Sequence, residues 1–377
     1  MKIFFAGDLC VSYKDLPRLG NSIRNLFASA DIVCANFEAP LIQPGSKAEP
    51  KAGPSIYQTD QVLGLLEKCG ITHLTLANNH IMDYGVSGLR YTLDKLNGYA
   101  IHGAGFSLEE AYRPIFHEKD GQRIALLAFG EAQFGALGVE PFQKAGFAWV
   151  DAPLARQAVI NARKEADWVI VQIHAGLEMV DIPLPEWRER FREFIDLGAD
   201  LVIGHHPHVL QGSETYKNKT IHYSLGNFYM DVMLKQANPG SGGLLEVVIQ
   251  GNELKSKLIP LKVALAAIDI DSTDEAISYY QSLCTKIGVD SEYFSEINSI
   301  CEEFWEEVYS GYYESAMTGL GSTPNFLAVR RIARRLLGFI VRRRWNNEAN
   351  ELMLIHNIRI ESHRWVVERA LSNRVLK

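Results

Sequence analysis

The chain has 377 residues, of which 47% are hydrophobic and 22% are charged, and its net charge is −7. This length suffices for a large core in two or three structural units, and the composition is that of an ordinary globular protein. The acidic balance removes the general electrostatic reason to expect a nucleic-acid partner.

The first predicted element is a strand over 2–7 in the opening sequence MKIFFAGDLC. Its apolar run ends at Gly7 and Asp8, too early for the apolar stretch of roughly 7–15 residues in a signal peptide. No window approaches the ~18 apolar residues of a transmembrane segment. The five cysteines are scattered without paired spacing, which argues against a disulfide framework and favours a reducing compartment. We therefore expect a cytoplasmic protein.

Up to about residue 265, short apolar runs alternate with helical patterns. Strands are predicted over 2–7, 31–38, 72–80, 123–130, 167–176 and 200–208, and helices over 15–29, 60–69, 86–97, 152–165 and 186–197. Continuous apolar runs are typical of strands covered on both faces, so the alternation predicts an α/β layered fold. The runs 221–228, 243–250 and 254–263 have no helix between them, which favours antiparallel strands in a second sheet.

Two further segments stand out along the chain. Residues 41–59 contain three prolines and two glycines, a long loop typical of lids and binding loops. After about residue 266 an acidic helical stretch is followed by 328–345, which carries seven arginines and no acid. We predict two domains, an α/β domain over 1–265 and a helical C-terminal extension over 266–377.

Polar side chains follow almost every predicted strand. These residues are Asp8, Cys10, Asn36, Glu38, Asn79, His80, Asp83, His174, Glu178, His205, His206, His208 and Asn227. Because strand carboxyl ends and the loops after them build the sites of α/β proteins, we expect these side chains to converge.

The carboxylate, amide and imidazole groups in this set are ligands for a borderline divalent cation. Such a set without paired cysteines suits two ions of Mn, Zn or Fe, roughly 3.5–4 Å apart, bridged by a carboxylate and an activated water. In GHHPH (204–208) the turn at Gly204 and Pro207 brings two imidazoles to the same side, one for each ion. The sequence therefore predicts a two-metal centre.

Six motifs carry a family resemblance: GD (7–8), NFEAPL (36–41), LANNHIMDYG (76–85), HAGLE (174–178), IGHHPHVLQG (203–212) and HYSLGNF (222–228). In this order and spacing they resemble the CapA family over roughly residues 1–250. That family is associated with poly-γ-glutamate capsule synthesis and is similar to the calcineurin-like metallophosphoesterases. The resemblance implies a four-layer α/β/β/α sandwich with a dinuclear site at one edge.

The resemblance also implies which residues bind the metal ions. The implied ligands are Asp8, Glu38, Asn79, His174, His206 and His208. Asp8 and His208 would serve the first ion, Glu38 would bridge, and the others would bind the second ion. Either His205 or His206 fits the first place of the histidine pair, and the H-x-H spacing favours His206.

By the same resemblance, His80 would protonate the leaving group, and Asp83 would hold the His80 ring in one tautomer. Asn36, Glu178 and Asn227 would contact the substrate or support the ligands.

The first strand exit departs from the phosphoesterase pattern Asp-x-His, because Cys10 stands where that pattern has histidine. A thiolate ligand is one interpretation of Cys10, and a small apolar residue packed under the site is the favoured one. Glu38 replaces the usual bridging aspartate.

Two functions are compatible with these residues. One is a metal-dependent hydrolase of the phosphoesterase type, acting on a phosphate ester or a γ-glutamyl-type amide. The other is a non-catalytic assembly component that binds an acidic polymer such as poly-γ-glutamate. The arginine segment, with Arg330, Arg331, Arg334 and Arg335, either contacts a membrane surface or polyanion or, as we favour, pairs with the acidic stretch around 302–307.

Overall fold

The computed structural model describes residues 1–13, 15–139, 143–234, 242–313 and 348–375. Contacts between residues divide the chain into two compact units, 1–49 with 55–293 and 50–54 with 294–377. The predicted boundary near residue 265 stays a prediction. The arginine segment 328–345 lies outside the described residues.

The strands, in chain order, are β1 (Lys2–Cys10), β2 (Arg18–Leu19), β3 (Ile32–Phe37), β4 (His73–Thr75), β5 (Ala100–His102), β6 (Ala104–Gly105), β7 (Ile115–Lys119), β8 (Gln122–Gly130), β9 (Ala136–Leu137), β10 (Gly146–Ala148), β11 (Trp168–His174), β12 (Leu201–His205), β13 (Leu210–Tyr216), β14 (Lys219–Leu225), β15 (Asn227–Met230), β16 (Gly242–Gln250), β17 (Glu253–Ala264) and β18 (Ala267–Ile270).

The helices are α1 (Asn21–Ala28), α2 (Gln61–Cys69), α3 (Gly85–Lys95), α4 (Leu108–Tyr112), α5 (Pro153–Glu165), α6 (Pro185–Asp196), α7 (Asp231–Leu234), α8 (Asp274–Gly288), α9 (Asp290–Phe304), α10 (Glu348–Arg359) and α11 (Glu361–Val375), with a π-helical turn at Trp305–Tyr309. Among the described helices, none combines the length and the apolar character needed to cross a bilayer.

In the described ranges the larger sheet has nine strands, in the order β2-β18-β17-β16-β1-β3-β4-β5, with β15 also paired to β1. A six-stranded sheet follows the order β13-β14-β12-β11-β8-β7, and β6, β10 and β9 form a small third sheet. Strand β1 is parallel to β3 and β15 and antiparallel to β16. The parallel strands end at the same sheet edges, and these edges carry the polar residues singled out above.

The side chains of β1 show why the sheets form layers. Ile3 and Phe5 lie in a core shared with β8, β11 and β12 of the second sheet, whereas Phe4 and Ala6 pack with residues of α1, α2 and α3. Helices α5 and α6 cover the outer face of the six-stranded sheet, where Phe129 stacks on Phe194. Both faces of each sheet are therefore apolar, and the predicted α/β/β/α sandwich is confirmed.

Two parts of the strand prediction were wrong. The run 221–228 is not one strand: Gly226, with φ of 61°, separates β14 in the smaller sheet from β15 in the larger one. Strands β16 and β17 are antiparallel as predicted, but they extend the first sheet through β1 instead of forming a second one. Strand β13, which had not been predicted, forms a hairpin with β14. Sheet membership here depends on pairing between distant residues, which a local pattern does not contain.

One close backbone approach needs a glycine at the end of β1. A Cβ atom added at Gly7 would lie 2.0 Å from the carbonyl oxygen of Gly226. The missing side chain lets β1 and the β14–β15 junction meet, so Asp8 pairs in register with Asn227.

The described part of the second unit is helical. The Tyr309 and His363 rings lie 4.7 Å apart between their centroids. Arg374 pairs with Glu306 at 2.6 Å, so one acid of the predicted pairing stretch contacts an arginine outside the segment 328–345.

Candidate metal centre

Strand register brings the predicted site residues together at one edge of the sandwich. Asp8 lies opposite Asn36 in the β1–β3 pair and opposite Asn227 in the β1–β15 pair. In the second sheet, His174 ends β11 beside His205 at the end of β12. The carboxyl ends of these strands therefore lie at the same edge of the sandwich in both sheets.

The Asp8 carboxylate is fully buried and both of its oxygens have partners. Oδ1 accepts a hydrogen bond from Asn36 Nδ2 at 2.7 Å, and Oδ2 accepts one from the backbone N–H of His206 at 3.1 Å. Burial alone raises the pKa of Asp8, but contacts with His205 and His208 outweigh it and hold this pKa well below its usual value. Asp8 is thus an ionised carboxylate with a fixed orientation, suited to bind a metal ion through oxygen.

The Glu38 carboxylate is also fully buried, yet neither oxygen has a hydrogen-bond partner within the described residues. Its Oε1 lies 3.7 Å from Nε2 of His174 and 3.7 Å from Nε2 of His208, beyond hydrogen-bond distance. Burial is the main cause that raises the pKa of Glu38 well above its usual value. A buried carboxylate without hydrogen-bond partners is costly, and a cation bound between these groups would offset that cost.

Donor atoms around Glu38 fit such a cation. Three groups each offer ligand atoms within 4.8 Å of one another: Glu38 with His174 and His206, Asp8 with Glu38 and His208, and Glu178 with His206 and His208. Glu38 belongs to the first two groups. Oxygen and imidazole donors of this kind are typical ligands of Zn, Mn and Fe. The chain therefore contains His, Asp and Glu groups suited to divalent metal binding.

The amide of Asn79 adds a further oxygen beside the first group. Its Oδ1 lies 2.9 Å from Nε2 of His174, and His206 Nδ1 lies 3.1 Å from the same nitrogen. The Asn36 amide nitrogen contacts Nδ1 on the other side of the His174 ring at 2.9 Å. The His174 ring is thus held between two amides, one on each ring nitrogen.

The histidines differ in charge. Burial lowers the pKa of His174 well below its usual value and lowers that of His206 to about 4, so both rings are neutral and offer lone pairs. Burial also opposes the charged form of His208, but the carboxylates of Glu38 and Asp8 outweigh it and raise its pKa to about 10. The carboxylates therefore favour positive charge at this position.

The loop that carries these rings is strained. His206 and His208 have positive φ angles of 97° and 60°, a conformation that costs roughly 1–3 kcal/mol and clusters at functional sites. These two positive φ angles lie in the turn that was predicted from Gly204 and Pro207.

His80 and Asp83 form a buried pair after β4. Nδ1 of His80 lies 2.7 Å from Oδ2 of Asp83, which also accepts the backbone N–H of Ile56 at 2.8 Å. This contact ties the predicted loop 41–59 to the site. The proton-donor role of His80 and the orienting role of Asp83 stay predictions, with the required geometry present.

The remaining predicted residues lie around these groups. Asn227 Oδ1 contacts Nδ1 of His208 at 3.0 Å, and Glu178 Oε1 lies 4.0 Å from Nε2 of His206. His205 is buried, and its Nδ1 lies 3.5 Å from Oδ1 of Asp8. Among the described residues, the groups of possible metal ligands include His206 but not His205.

Cys10 occupies a buried apolar cluster with Ala39 and Met230. Its sulfur lies 3.7 Å from Ser12 Oγ and 3.8 Å from the carbonyl oxygen of Tyr57. Burial raises the pKa of the thiol well above its usual value, and the donor groups found among the described residues do not include it. These observations favour the packed thiol over a thiolate ligand.

Sequence reasoning missed Gln133. Its Oε1 accepts a hydrogen bond from Asn79 Nδ2 at 3.2 Å, which turns the other end of that amide toward His174. Gln133 follows the exit of β8 at Gly130, a buried strand with no predicted site residue after it. Asn78 stands at the same predicted strand exit as Asn79 and His80 but had no assigned role; its Nδ2 donates to the carbonyl of Phe37 at 2.9 Å.

Residues 2–232 match the family described as bacterial capsule synthesis protein PGA_cap. The chain belongs to this family. The PGA biosynthesis protein CapA of Bacillus subtilis (strain 168) is 35% identical over 215 residues, which cover 55% of this chain and 56% of that protein. The capsule biosynthesis protein CapA of Bacillus anthracis is 32% identical over 211 residues, which cover 54% and 51%.

The chain thus spans about half the length of these two PGA_cap relatives. Among solved structures, one described as a putative 5'-nucleotidase from Staphylococcus aureus is 14% identical. That match covers 75% of this chain and 58% of the other, with a TM-score of 0.44.

Proposed function

We propose that this chain is a metal-dependent hydrolase of the phosphoesterase type that uses two divalent ions and acts on a phosphate ester or a γ-glutamyl-type amide in capsule polymer synthesis. The supporting observation is Glu38, a fully buried carboxylate without hydrogen-bond partners that is shared by two groups of donor atoms. Family membership supports the link to capsule synthesis.

The residues divide into two sets around Glu38. Asp8, Glu38 and His208 would hold one ion, and Glu38, Asn79, His174 and His206 would hold the other. When bound, such ions lower the pKa of water and neutralise negative charge that develops on the substrate. Asn36 orients both sets, because its amide nitrogen contacts Asp8 at 2.7 Å and His174 at 2.9 Å.

His80 would give a proton to the leaving group through Nε2. Its Nδ1 contacts Asp83 at 2.7 Å, so the carboxylate fixes the ring and stabilises its protonated form. His80 follows Asn79 in the chain, and Asn79 Oδ1 lies 2.9 Å from Nε2 of His174, so the pair lies beside the proposed metal ligands.

The test is hydrolysis of an aryl phosphate and of a γ-glutamyl anilide with Mn, Zn or Mg. Wild-type protein should turn over one of them, and His80→Ala should lose about 10²–10⁴-fold in rate. His117→Ala, in β7 and outside the site, is the control and should keep wild-type rates. Absence of turnover with every metal would contradict the proposal.

A binding or assembly role for an acidic polymer is the second candidate. The observation that favours it is Cys10, which leaves the first donor group without the histidine of the phosphoesterase pattern. Under this alternative, polyglutamate binds with salt-sensitive affinity, and no substrate is hydrolysed with any metal. His80→Ala would then leave polymer affinity unchanged.

We also propose a cytoplasmic location, since the five cysteines are scattered along the chain without paired spacing. Contact between the segment 328–345 and a polyanion or membrane surface remains a proposal, which binding to acidic liposomes or polyglutamate at low and high salt would test.

A further inference from the structure

We propose that Glu178, His206 and His208 form a capture site that receives a divalent ion from solvent and passes it to the buried centre. This inference rests on the proposed metal centre and adds a route into it. It assigns Glu178 a role in metal uptake instead of substrate contact.

The three side chains are placed to bind one ion together. Their ligand atoms all lie within 4.8 Å of one another, and Oε1 of Glu178 is 4.0 Å from Nε2 of His206. One carboxylate and two imidazoles are a sufficient protein ligand set for a divalent ion, with water in the open position. These three side chains can therefore bind one divalent ion without a further protein ligand.

Exposure distinguishes Glu178 from the other donors. Its side chain is 58% exposed, whereas Asp8 and Glu38 are fully buried and His174, His206 and His208 are at most 5% exposed. A hydrated ion therefore meets Glu178 before it meets any interior ligand, and a buried site requires such an entry path.

The two histidines connect the capture site to the interior. His206 also belongs to the group with Glu38 and His174, and His208 also belongs to the group with Asp8 and Glu38. An ion can keep one imidazole while it exchanges Glu178 for the buried Glu38. His206 and His208 cannot bind an ion in the capture site while both also bind ions in the buried centre. The capture site is therefore occupied only transiently.

The test is the rate of Zn²⁺ uptake by chelator-treated full-length protein, followed by stopped flow with a zinc-responsive dye. We expect Glu178→Gln to take up zinc roughly tenfold more slowly than wild type, at the low end of the losses that follow removal of a group supporting a metal site. Equilibrium dialysis should give the same final number of equivalents. Glu178→His, which restores a ligand without negative charge, should recover most of the rate. Glu189→Gln, an exposed carboxylate on α6, is the charge-matched control and should behave as wild type.

Three results would overturn the capture site. Uptake by Glu178→Gln at the wild-type rate would show that Glu178 has no role in entry. Slow uptake by Glu178→His would indicate that the carboxylate acts only through its charge. Wild-type protein that binds no zinc at equilibrium would instead remove the metal centre itself, and with it the proposed function.

Discussion

Oδ2 of Asp83 lies 2.7 Å from Nδ1 of His80, and both side chains are buried beside the candidate metal centre. We expect this contact to hold the ring in one orientation and one tautomer. Because the same oxygen accepts the backbone N–H of Ile56, the pair also fixes the loop that follows β3.

Replacing this carboxylate should slow the reaction without unfolding the protein. We expect Asp83→Asn to lower kcat about 10–100-fold on the aryl phosphate. The alkaline limb of the pH–rate profile should move to lower pH, since a neutral amide stabilises the protonated ring less. Asp94→Asn, on the exposed side of α3, is the control. An unchanged profile would show that Asp83 supports only the loop.

Glu38 should oppose folding in the absence of metal. Because its buried oxygens have no hydrogen-bond partners, Glu38→Met should raise the free energy of unfolding of chelator-treated protein by about 1–3 kcal/mol. Asp8 offers the matched contrast. Its oxygens accept hydrogen bonds, so Asp8→Leu should lower that free energy by about 1–3 kcal/mol. Urea denaturation measures both, and the same sign for the two variants would contradict this assignment.

Cys10 should matter for packing and not for metal binding. Its side chain lies in an apolar cluster with Ala39 and Met230, so Cys10→Ala should cost about 1 kcal/mol of unfolding free energy. Metal content should stay at the wild-type value. Loss of one equivalent in this variant would identify the sulfur as a ligand.

Acid should destabilise the protein partly through His222, which is not one of the proposed metal ligands. Its ring nitrogens contact Tyr280 and Ser256, and burial lowers its pKa to about 4. The unfolded chain, with a histidine pKa near 6.5, therefore binds more protons between about pH 4 and 6.5. Stability is complete above this window and is lost as the pH falls through it.

From pH 7 to pH 5 this one group should remove about 2 kcal/mol from the free energy of unfolding. His222→Asn should show a correspondingly smaller pH dependence, measured by urea denaturation at both pH values in the presence of a chelator. An equal pH dependence in the two proteins would show that His222 does not contribute.

The sequence was most informative where a site residue directly follows a recognisable strand. Asp8, Glu38 and His174 each follow a continuous apolar run, and parallel strands end at a common edge, so their convergence could be predicted. Each strand and helix predicted up to residue 208 has a counterpart in the structure for the same reason: the hydrophobic period is local. The shorter elements β2, β5, β6, β7, β9, β10 and α4 were not predicted.

Other features depend on contacts between distant residues. Gly226 and Asn227 indicate a strand end in the sequence, but nothing near them indicates that β15 joins the other sheet, because that pairing depends on the close approach of Gly7. Similarly, Gln133 becomes part of the site only through its hydrogen bond to Asn79, 54 residues away.

The metal content of the purified protein tests the proposed centre most directly. Elemental analysis after purification without chelator should give about two equivalents of a transition metal for wild type and fewer for Glu38→Met. Wild-type protein that contains no such metal, and that takes up none on dialysis against Mn²⁺ or Zn²⁺, would contradict the metal centre.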